Sequence, residues 1–132
     1  MKGEEILERF DIDFFKKDDG TCPVVDFLDS LDVKMQAKVL KTIELLEKNG
    51  YELREPYSKF LEDGIFELRI KQGSNITRVL YFFFVNRKII LTNGFVKKTL
   101  KMPKNEIALA RKYRNVYMEK EGDFKWVILE NI

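Results

Sequence analysis

Three successive strand-like runs within residues 65–101 constrain the fold of this chain more than any other feature. The runs are rich in β-branched and aromatic side chains and cover residues 65–72, 77–85 and 88–95. Because short polar turns separate them, they predict two consecutive β-hairpins. Cations interrupt or follow these apolar runs, at Arg69, Arg78, Lys97 and Lys98. A sheet that carries cations on one face is suited to bind a phosphate backbone.

The composition indicates a single folded domain without a membrane span. The chain has 132 residues, of which 45% are hydrophobic and 13% aromatic, which is sufficient for one buried core. No apolar run approaches the roughly 20 residues of a membrane helix. The first ten residues, MKGEEILERF, lack the apolar stretch of a signal peptide. The one cysteine, Cys22, excludes an internal disulfide, so we expect a cytoplasmic protein with no membrane association.

The absence of histidine excludes several kinds of catalytic or metal site. A Cys/His zinc site, Ser-His-Asp catalysis and Cys-His catalysis all require it. Any proton transfer must therefore use Lys, Arg, Tyr, Glu, Asp or water. We expect no metal and no cofactor, because Asp and Glu are too sparse in the basic part of the chain for a two-metal nuclease.

The net charge of +2 hides a strong asymmetry along the chain. Residues 1–55 hold 9 Lys and Arg against 14 Asp and Glu, residues 56–118 hold 13 against 4, and residues 119–132 hold 2 against 4. The three net charges are therefore −5, +9 and −2. An asymmetry of this size indicates a half that binds a polyanion, and the alternative is a solvated basic surface.

Helical signals precede the hairpins. Residues 10–15 predict a first strand, and residues 23–28, which begin with proline, predict a short helix. Asp32 is a typical N-cap for a longer helix that ends at Lys48, before an Asn-Gly pair. The apolar stripe of this helix is predicted to contain Ala37, Val39, Leu40, Ile43 and Leu46. The two helices would form a hairpin over one sheet face, and residues 51–64 would be irregular.

The C-terminal part is predicted to contain one more helix and a short extension. Pro103 is suited to open a helix that runs to about Tyr117, with one apolar side and one basic side. Residues 1–118 then form one domain, and residues 119–132 form an extension. The apolar run 126–129 would add an edge strand or dock on the core, and the alternative is a segment that binds a partner.

The register of the first hairpin decides whether the cations share a face, because a slip of one residue moves every side chain to the other face. A four-residue loop at residues 73–76 sorts charged from apolar side chains most cleanly along the first strand. It pairs Lys71 with Arg78. Glu67 and Arg69 then lie on the face of Arg78, and the apolar side chains of the strand face the helices.

The second hairpin brings a further cation to this face. A two-residue turn at residues 86–87 places Phe95 opposite Arg78. Because side chains alternate along a strand, Lys97 then lies on the same face, so that Arg69, Arg78 and Lys97 converge. Two aromatic rings lie nearby and could stack on bases, those of Phe82 and Phe95. Taken singly, each cation could instead be solvated or lie in a surface ion pair. A nuclease requires that the two arginines share a face and that neither is buried in an internal ion pair.

An ordered set of motifs carries a resemblance to a known family. In sequence order the motifs are PVVDFLDSL, LLEKNG, PYSKFLEDGIFELR, RVLYFF and NGFVKKTLKMPKNEIALA. In this order and spacing, over residues 10–117, the chain resembles the phage-derived HigB-like toxins of the RelE/ParE superfamily. The resemblance implies an α+β fold with an N-terminal helical hairpin packed on a mostly antiparallel twisted sheet, and a C-terminal helix.

The resemblance also implies a function and partners. It implies the toxin of a type II toxin–antitoxin pair, with a helix-turn-helix antitoxin as partner and with homo-oligomers or hetero-oligomers possible. Relatives of the RelE and HigB type cleave mRNA in the ribosomal A site. Relatives of the ParE type instead poison DNA gyrase. We expect a metal-independent, ribosome-dependent mRNA endonuclease; the alternatives are a gyrase inhibitor, a basic nucleic-acid-binding module, or an inert structural domain.

The resemblance assigns expected roles to individual residues. Arg78 matches a phosphate-binding arginine of RelE-type enzymes, and Arg69 matches a basic residue on the preceding strand. Lys97 and Lys98 match the basic pair after the last core strand. Glu67 stands where RelE has lysine, but other ribonucleases of the superfamily use a glutamate as general base. Further RNA contacts are expected from Lys71, Phe82, Phe95, Lys101 and Lys104.

The expected reaction is a transesterification in which the RNA 2′-hydroxyl attacks the adjacent phosphorus and the 5′-oxygen leaves. Arg69 and Arg78 would stabilise the developing phosphorane charge. Lys97 or Lys98 would donate a proton to the leaving oxygen if neighbouring cations lower its pKa. Glu67, or an activated lysine, would be the base.

Overall fold

The architecture is one sheet with helices on both faces. The structure is a computed structural model that describes residues 9–97 and 103–130, with side chains as far as residue 121. Within these ranges the chain forms a five-stranded sheet and three α-helices, which confirms the predicted α+β class. In chain order the elements are β1 (Asp11–Phe14), α1 (Pro23–Asp29), α2 (Val33–Asn49), a 3-10 turn (Gly50–Glu52), β2 (Ser58–Glu62), β3 (Ile65–Gln72), β4 (Asn75–Phe84), β5 (Lys88–Lys97) and α3 (Lys104–Glu130).

The sheet is mostly antiparallel. Its strand order is β1-β5-β4-β3-β2, so that β3, β4 and β5 form a meander in the middle. β1 pairs with β5 in parallel, and the other three neighbouring pairs are antiparallel. The parallel contact is possible because α1 and α2 lie between the two strands in sequence and provide the crossover.

The α1–α2 hairpin begins and ends where its capping residues predict. Asp32 accepts a hydrogen bond from the Met35 backbone N–H at 2.7 Å, which fixes the first turn of α2. Gly50 follows α2 with a φ of 51°, and a Cβ there would lie 2.0 Å from the Phe10 ring. Only glycine therefore fits this position without displacing that ring. The buried side of α2 consists of Met35, Val39, Thr42, Ile43 and Leu46. The predicted stripe was wrong at Ala37 and Leu40, which are exposed.

The hairpin and one sheet face enclose the larger apolar core. Side chains from α1 and α2 pack there on alternate residues of the central strands, including Leu68, Val79 and Tyr81. A group of aromatic rings closes the core towards β2, with stacked rings of Phe66 and Tyr81 at 5.4 Å between centroids. This face is mainly apolar, as the period-two pattern of β3 predicts.

Helix α3 covers only part of the opposite face. Its buried residues up to residue 121 are Ile107, Ala110, Tyr113 and Tyr117, which confirms the predicted apolar side. Tyr113 stacks on Phe15 with 4.6 Å between ring centroids, and Ile107 and Ala110 pack with Leu80. The remaining part of this face carries the charged residues of β3, β4 and β5.

The register of the β3–β4 hairpin differs from the predicted one by two residues. The turn contains two residues rather than four, and it pairs Gln72 with Asn75 and Arg69 with Arg78. Gly73 occupies the first turn position with a φ of 61°, a conformation that favours glycine. Because a shift of two residues preserves the side-chain parity, the predicted assignment of faces is correct although the predicted pairing of Lys71 with Arg78 is wrong.

Two irregularities offset each other between β4 and β5. The turn contains three residues, Val85 to Arg87, rather than two, since Phe84 pairs with Lys88. A bulge then places Thr92 as an extra residue in β5, between the pairs of Leu80 with Asn93 and of Tyr81 with Leu91. The predicted pairing of Arg78 with Phe95 is therefore confirmed.

The segment predicted to be irregular contains an edge strand. β2 pairs antiparallel with β3, and the connection is Asp63-Gly64, with φ angles of 51° and 74°. β2 lacks an alternating apolar pattern, because Ser58 is buried and Phe60 is 54% exposed. The Asp-Gly pair was the sequence signal for this hairpin.

The C-terminal helix is longer than predicted. α3 has 27 residues and therefore spans about 40 Å. It continues through residues 126–129, so the prediction of an edge strand there is wrong. None of the helices in the described ranges combines the length and the apolar composition that a membrane span requires.

Candidate functional site

The charged residues lie in neighbouring rows on the sheet face that α3 leaves uncovered. Residues that pair directly across strands share a face, which assigns each row. The rows are Lys59-Glu67-Leu80-Asn93, Arg69-Arg78-Phe95 and Lys71-Ile76-Lys97. We call the charged members of these rows the cationic face: Lys59, Glu67, Arg69, Lys71, Arg78 and Lys97. It brings five cations together with one carboxylate.

An ion pair between Glu67 and Arg78 lies at the centre of the cationic face. Arg78 Nη1 donates to Glu67 Oε1. Glu67 is 1% exposed and Arg78 is 5% exposed, so both charges are withdrawn from water. Burial of two charges costs several kcal/mol for each ion, which their attraction offsets only when the geometry is good. The pair is therefore a specific feature of this fold and not a solvated surface contact.

Arg69 is the accessible arginine of the cationic face. Its Nε lies 3.7 Å from Glu67 Oε1, the oxygen that also accepts from Arg78, and its side chain is 28% exposed. Arg69 and Arg78 face each other directly across β3 and β4. Like charges in this position repel, and the Glu67 carboxylate between them reduces the repulsion.

The sequence interpretation as a nuclease set two conditions on these arginines. The first is met, because Arg69 and Arg78 share one face. The second is not met, because Arg78 is buried in an internal pair with Glu67. Arg78 is thus not available as a preformed phosphate ligand, and that ground for a nuclease is removed. Arg78 could bind a phosphate only through a change that exposes its guanidinium group.

Lys97 is the second buried cation of the face, with 5% of its surface exposed. Burial lowers the pKa of the Lys97 ammonium below its ordinary value, and the neighbouring Arg78 and Arg69 guanidinium groups lower it further, whereas Glu67 opposes the shift. A lysine whose pKa is lowered in this way gives up its proton more readily than a solvated lysine.

Two buried polar atoms of the ion pair lack hydrogen-bond partners within the described part of the chain, namely Glu67 Oε2 and Arg78 Nε. An unsatisfied buried polar atom costs about 1–3 kcal/mol. The two charges are therefore held in contact but are not fully satisfied, and each retains one position at which another group could bind.

The other residues predicted to bind RNA occupy different environments. Lys71 and Lys104 are exposed. Phe95 is half-buried against the core beneath α3. Phe82 is 2% exposed and its ring meets Tyr117 edge-on, at 5.8 Å between centroids. No face of the Phe82 ring is open to a base, so Phe82 does not belong to the RNA-binding set. Lys98 and Lys101 lie outside the described residues.

Sequence reasoning missed two parts of the site. Lys59 pairs directly with Glu67 across β2 and β3, but it lay in the segment that was predicted to be irregular. Asn93 donates to the Glu106 backbone oxygen at 3.2 Å and to its carboxylate at 3.1 Å, and this contact fixes the start of α3 beside the cationic face. The Asp-Gly turn after β2 could have revealed Lys59. No sequence signal identified the Asn93 contact.

The geometry can bind an anion but shows no metal-binding cluster in the described ranges, where no three His, Cys, Asp or Glu side chains come together. Five cations against one carboxylate leave a formal surplus of four positive charges when all the lysines are protonated. Such a surface attracts phosphate groups electrostatically. A carboxylate and a lysine with a lowered pKa also supply the two kinds of group that acid–base chemistry needs.

A comparison with known protein families assigns this chain to a family. A model of the family described as phage derived protein Gp49-like matches residues 26–115, which is 90 of the 132 residues. The chain belongs to the Gp49-like family. This family is associated with RelE-like toxin proteins. No curated protein matches the chain.

The Gp49-like match covers the whole cationic face and most of the elements that support it. It extends from within α1 to within α3 and includes every residue of the cationic face. Family membership therefore agrees with the coarser part of the resemblance, a phage-derived protein of toxin type. Glu67, Arg78 and Lys97 lie in the part of the chain that defines the Gp49-like family.

Proposed function

We propose that this protein is the toxin of a type II toxin–antitoxin pair, of the HigB-like kind, and that it inhibits translation by cleaving mRNA on the ribosome. The observation that carries the proposal is the grouping of Arg69 and Lys97 around the buried Glu67–Arg78 pair on a Gp49-like chain. RNA phosphate is the ligand that such a surface attracts. Action on ribosomes places the protein in the cytoplasm.

Arg69 is the first contact of the scissile phosphate in this proposal. It is the more exposed of the two arginines, and its planar fork can bind two phosphate oxygens at once. Lys71 is exposed in the neighbouring row and adds sequence-independent attraction for the backbone. Charge stabilisation of the phosphorane is commonly the largest catalytic term, so Arg69 is the most sensitive position to test.

The proton transfers are assigned to Lys97 and Glu67. The 2′-oxygen forms a bond to phosphorus and loses its proton to Glu67, and the bond from phosphorus to the 5′-oxygen breaks. The 5′-oxygen takes a proton from Lys97, whose pKa burial and the neighbouring arginines lower. The products are a 2′,3′-cyclic phosphate and a 5′-hydroxyl. Glu67 Oε2 has no hydrogen-bond partner and is the proposed proton acceptor.

Arg78 acts through Glu67 in this scheme. It holds Oε1 of the carboxylate and so orients the other oxygen, Oε2. In the protein without RNA, Arg78 is therefore a positioning residue, which keeps Glu67 in the site until a phosphate binds. The Arg78→Ala variant is a poor single test, because it also leaves a buried carboxylate without its main partner.

The test combines growth, RNA cleavage and a matched control. Arg69→Ala should lower mRNA cleavage by about 10²–10³-fold. Lys38→Ala removes one exposed cation from α2, on the opposite side of the sheet, and should cleave like the wild type. The measurement is induced expression in cells, followed by mapping of RNA 5′ ends and by cleavage assays with and without ribosomes. Wild-type cleavage rates in both Arg69→Ala and Lys97→Met would contradict the mechanism.

One observation favours a second candidate function. Because Arg78 is buried in an internal pair, the accessible cations alone could bind a nucleic acid or a nucleoprotein without chemistry. This describes a non-enzymatic toxin such as a gyrase inhibitor of the ParE type. Growth inhibition without new RNA 5′ ends, together with inhibited DNA supercoiling in vitro, would establish it.

The proposed partner of the toxin is a helix-turn-helix antitoxin. Neutralisation requires that the antitoxin cover the cationic face or hold it closed. Co-expression of the neighbouring gene should relieve the growth inhibition, and the two chains should co-purify. Growth inhibition that persists when that gene is expressed would remove this assignment.

A further inference from the structure

The Glu67 carboxylate occupies the position that an anionic ligand of the arginines would take. Its Oε1 accepts from Arg78 Nη1 and lies 3.7 Å from Arg69 Nε. The two arginines face each other across the strands, and an anion between them reduces the repulsion of their like charges. Glu67 supplies that anion from within the chain.

The fit of this internal anion is incomplete. Glu67 uses one carboxylate oxygen, and Oε2 stays without a hydrogen-bond partner among the described residues, as does Nε of Arg78. Lys97 adds a further positive charge close enough to affect the same group. A phosphodiester carries two non-bridging oxygens on a single centre and can accept from both edges of an arginine fork. A phosphodiester at this position could therefore also accept from Arg78 Nε, the donor that Glu67 leaves without a partner.

The sheet also offers Glu67 a second partner. Lys59 lies directly opposite Glu67 on the edge strand β2 and is exposed. A rotation of the Glu67 side chain towards β2 exchanges the guanidinium for an ammonium, so the carboxylate does not have to stay charged without a partner. Lys59 would then be the partner of Glu67 in a second conformation, which a ligand of Arg78 would favour.

We propose that Glu67 is an internal competitor for RNA phosphate, which holds Arg78 when no RNA is bound and is displaced by the incoming phosphate. The inference rests on the proposed function and adds a regulation to the same site. Displacement gives Arg78 to the phosphate and frees the Glu67 carboxylate to accept the 2′-hydroxyl proton. The empty protein is thus held in an inactive arrangement by its own base.

Binding of an RNA that cannot react tests the competition directly. The probe is a fluorescent 2′-O-methyl RNA oligonucleotide, which lacks the attacking hydroxyl. Glu67→Gln should bind it at least about tenfold more tightly than the wild type, because Arg78 no longer has an internal anion. The matched control is Glu62→Gln, which removes one exposed carboxylate from β2 and should change the affinity by less than about threefold.

Inorganic phosphate provides a second measurement if Glu67→Gln is unstable. Phosphate at constant ionic strength should raise the melting temperature of Glu67→Gln by several degrees more than that of the wild type, since a ligand that binds only the folded state stabilises it. The double variant Glu67→Gln with Arg78→Met should lose both the phosphate effect and the gain in RNA affinity. That result would assign the gain to Arg78.

The outcomes separate this inference from the proposed function. Tighter binding by Glu67→Gln together with loss of cleavage supports both roles of Glu67. Equal or weaker binding by Glu67→Gln overturns the inference, whereas the proposed function stands if the wild type still cleaves mRNA on ribosomes. Tighter binding by Glu67→Gln with a wild type that cleaves no RNA supports the competition and refutes the nuclease. Absence of binding by both chains overturns the inference.

Discussion

The two faces of the sheet are built from the same strands but are stabilised by different physics. The face under α1 and α2 is mainly apolar, with Leu68, Val79 and Leu46 all fully buried. The opposite face is apolar only beneath α3 and carries a buried ion pair beside the start of that helix. The first face gains stability from burial of apolar area. The second face buries less apolar area, because charged residues occupy part of it. Natural proteins commonly lose stability in this way at functional sites.

The largest expected difference between the faces is in how unfolding free energy responds when one or both residues of the Glu67–Arg78 pair are substituted. Arg78→Met or Glu67→Gln alone leaves a buried group without its main partner and should cost about 3–5 kcal/mol of unfolding free energy. The double variant should recover most of this loss, because it removes both charges. Urea unfolding of the four proteins gives the coupling free energy directly.

Additive losses in that cycle would show that the pair is not energetically coupled. A substitution on the hairpin face, which is the sheet face covered by the α1–α2 hairpin, provides the contrast. Leu68→Ala should cost about 2–5 kcal/mol through the cavity that it leaves, and no charge substitution should restore that loss.

A second prediction contrasts the pH dependence of one buried residue on each face. Burial raises the pKa of Tyr81, on the hairpin face, to about 12, so the unfolded chain releases this proton first. Its contribution to stability is complete below pH 10 and is lost as the pH rises through about 12. Between pH 10 and about 12, the unfolding free energy of Tyr81→Phe should therefore rise by up to about 3 kcal/mol relative to that of the wild type.

Lys97, on the cationic face, should behave in the opposite sense. Burial and the arginines lower its folded-state pKa below 10.5, so the unfolded chain binds the proton more tightly and wild-type stability rises with pH across that window. If Lys97→Met has a larger unfolding free energy than the wild type at pH 7, this difference should shrink as the pH approaches 10.5. Parallel stability curves for both variants and the wild type would contradict the assignment of these shifts.

The smallest expected effect concerns the contact that ties β2 to α3. Arg111 Nη1 lies 3.0 Å from Glu62 Oε2, and both side chains are more than a third exposed. Glu62→Gln should therefore change the unfolding free energy by less than about 1 kcal/mol. Thermal unfolding at low and high salt checks this, because a surface pair weakens with ionic strength. A larger loss would mean that β2 depends on α3 for its position.

The hairpin face was the more predictable of the two, because local signals specify it. Asp32 marks the start of α2, Asn49-Gly50 marks its end, and the alternation in β3 identifies the side that faces the helices. Each of these signals depends only on residues that are close together in the sequence, so a short stretch of sequence is enough to recognise it. Leu40 was assigned to the wrong side because stripe assignments follow hydrophobicity, whereas the packing angle of the hairpin decides burial.

The cationic face was predictable only in part. Arg69 and Arg78 were correctly predicted to share a face although the predicted turn was two residues too long, because a shift of two residues leaves each side chain on the same face. The burial of Arg78 could not be predicted, since it depends on what covers the residue and not on its own strand. Likewise, Phe82 was read as a base-stacking residue because sequence does not show how far α3 extends over β4.

The extra residue at Thr92 has a practical consequence at the other end of the sheet. The bulge absorbs the register difference between the turn at residues 85–87 and the pairing of Arg78 with Phe95. That turn lies about 24 Å along β4 from Arg78, at the usual rise of a strand. A fluorophore attached at Val85, which is 48% exposed, would therefore lie far from the cationic face. Attachment to a side chain, unlike an insertion, should leave Asn86 and Arg87 in their positive-φ conformations.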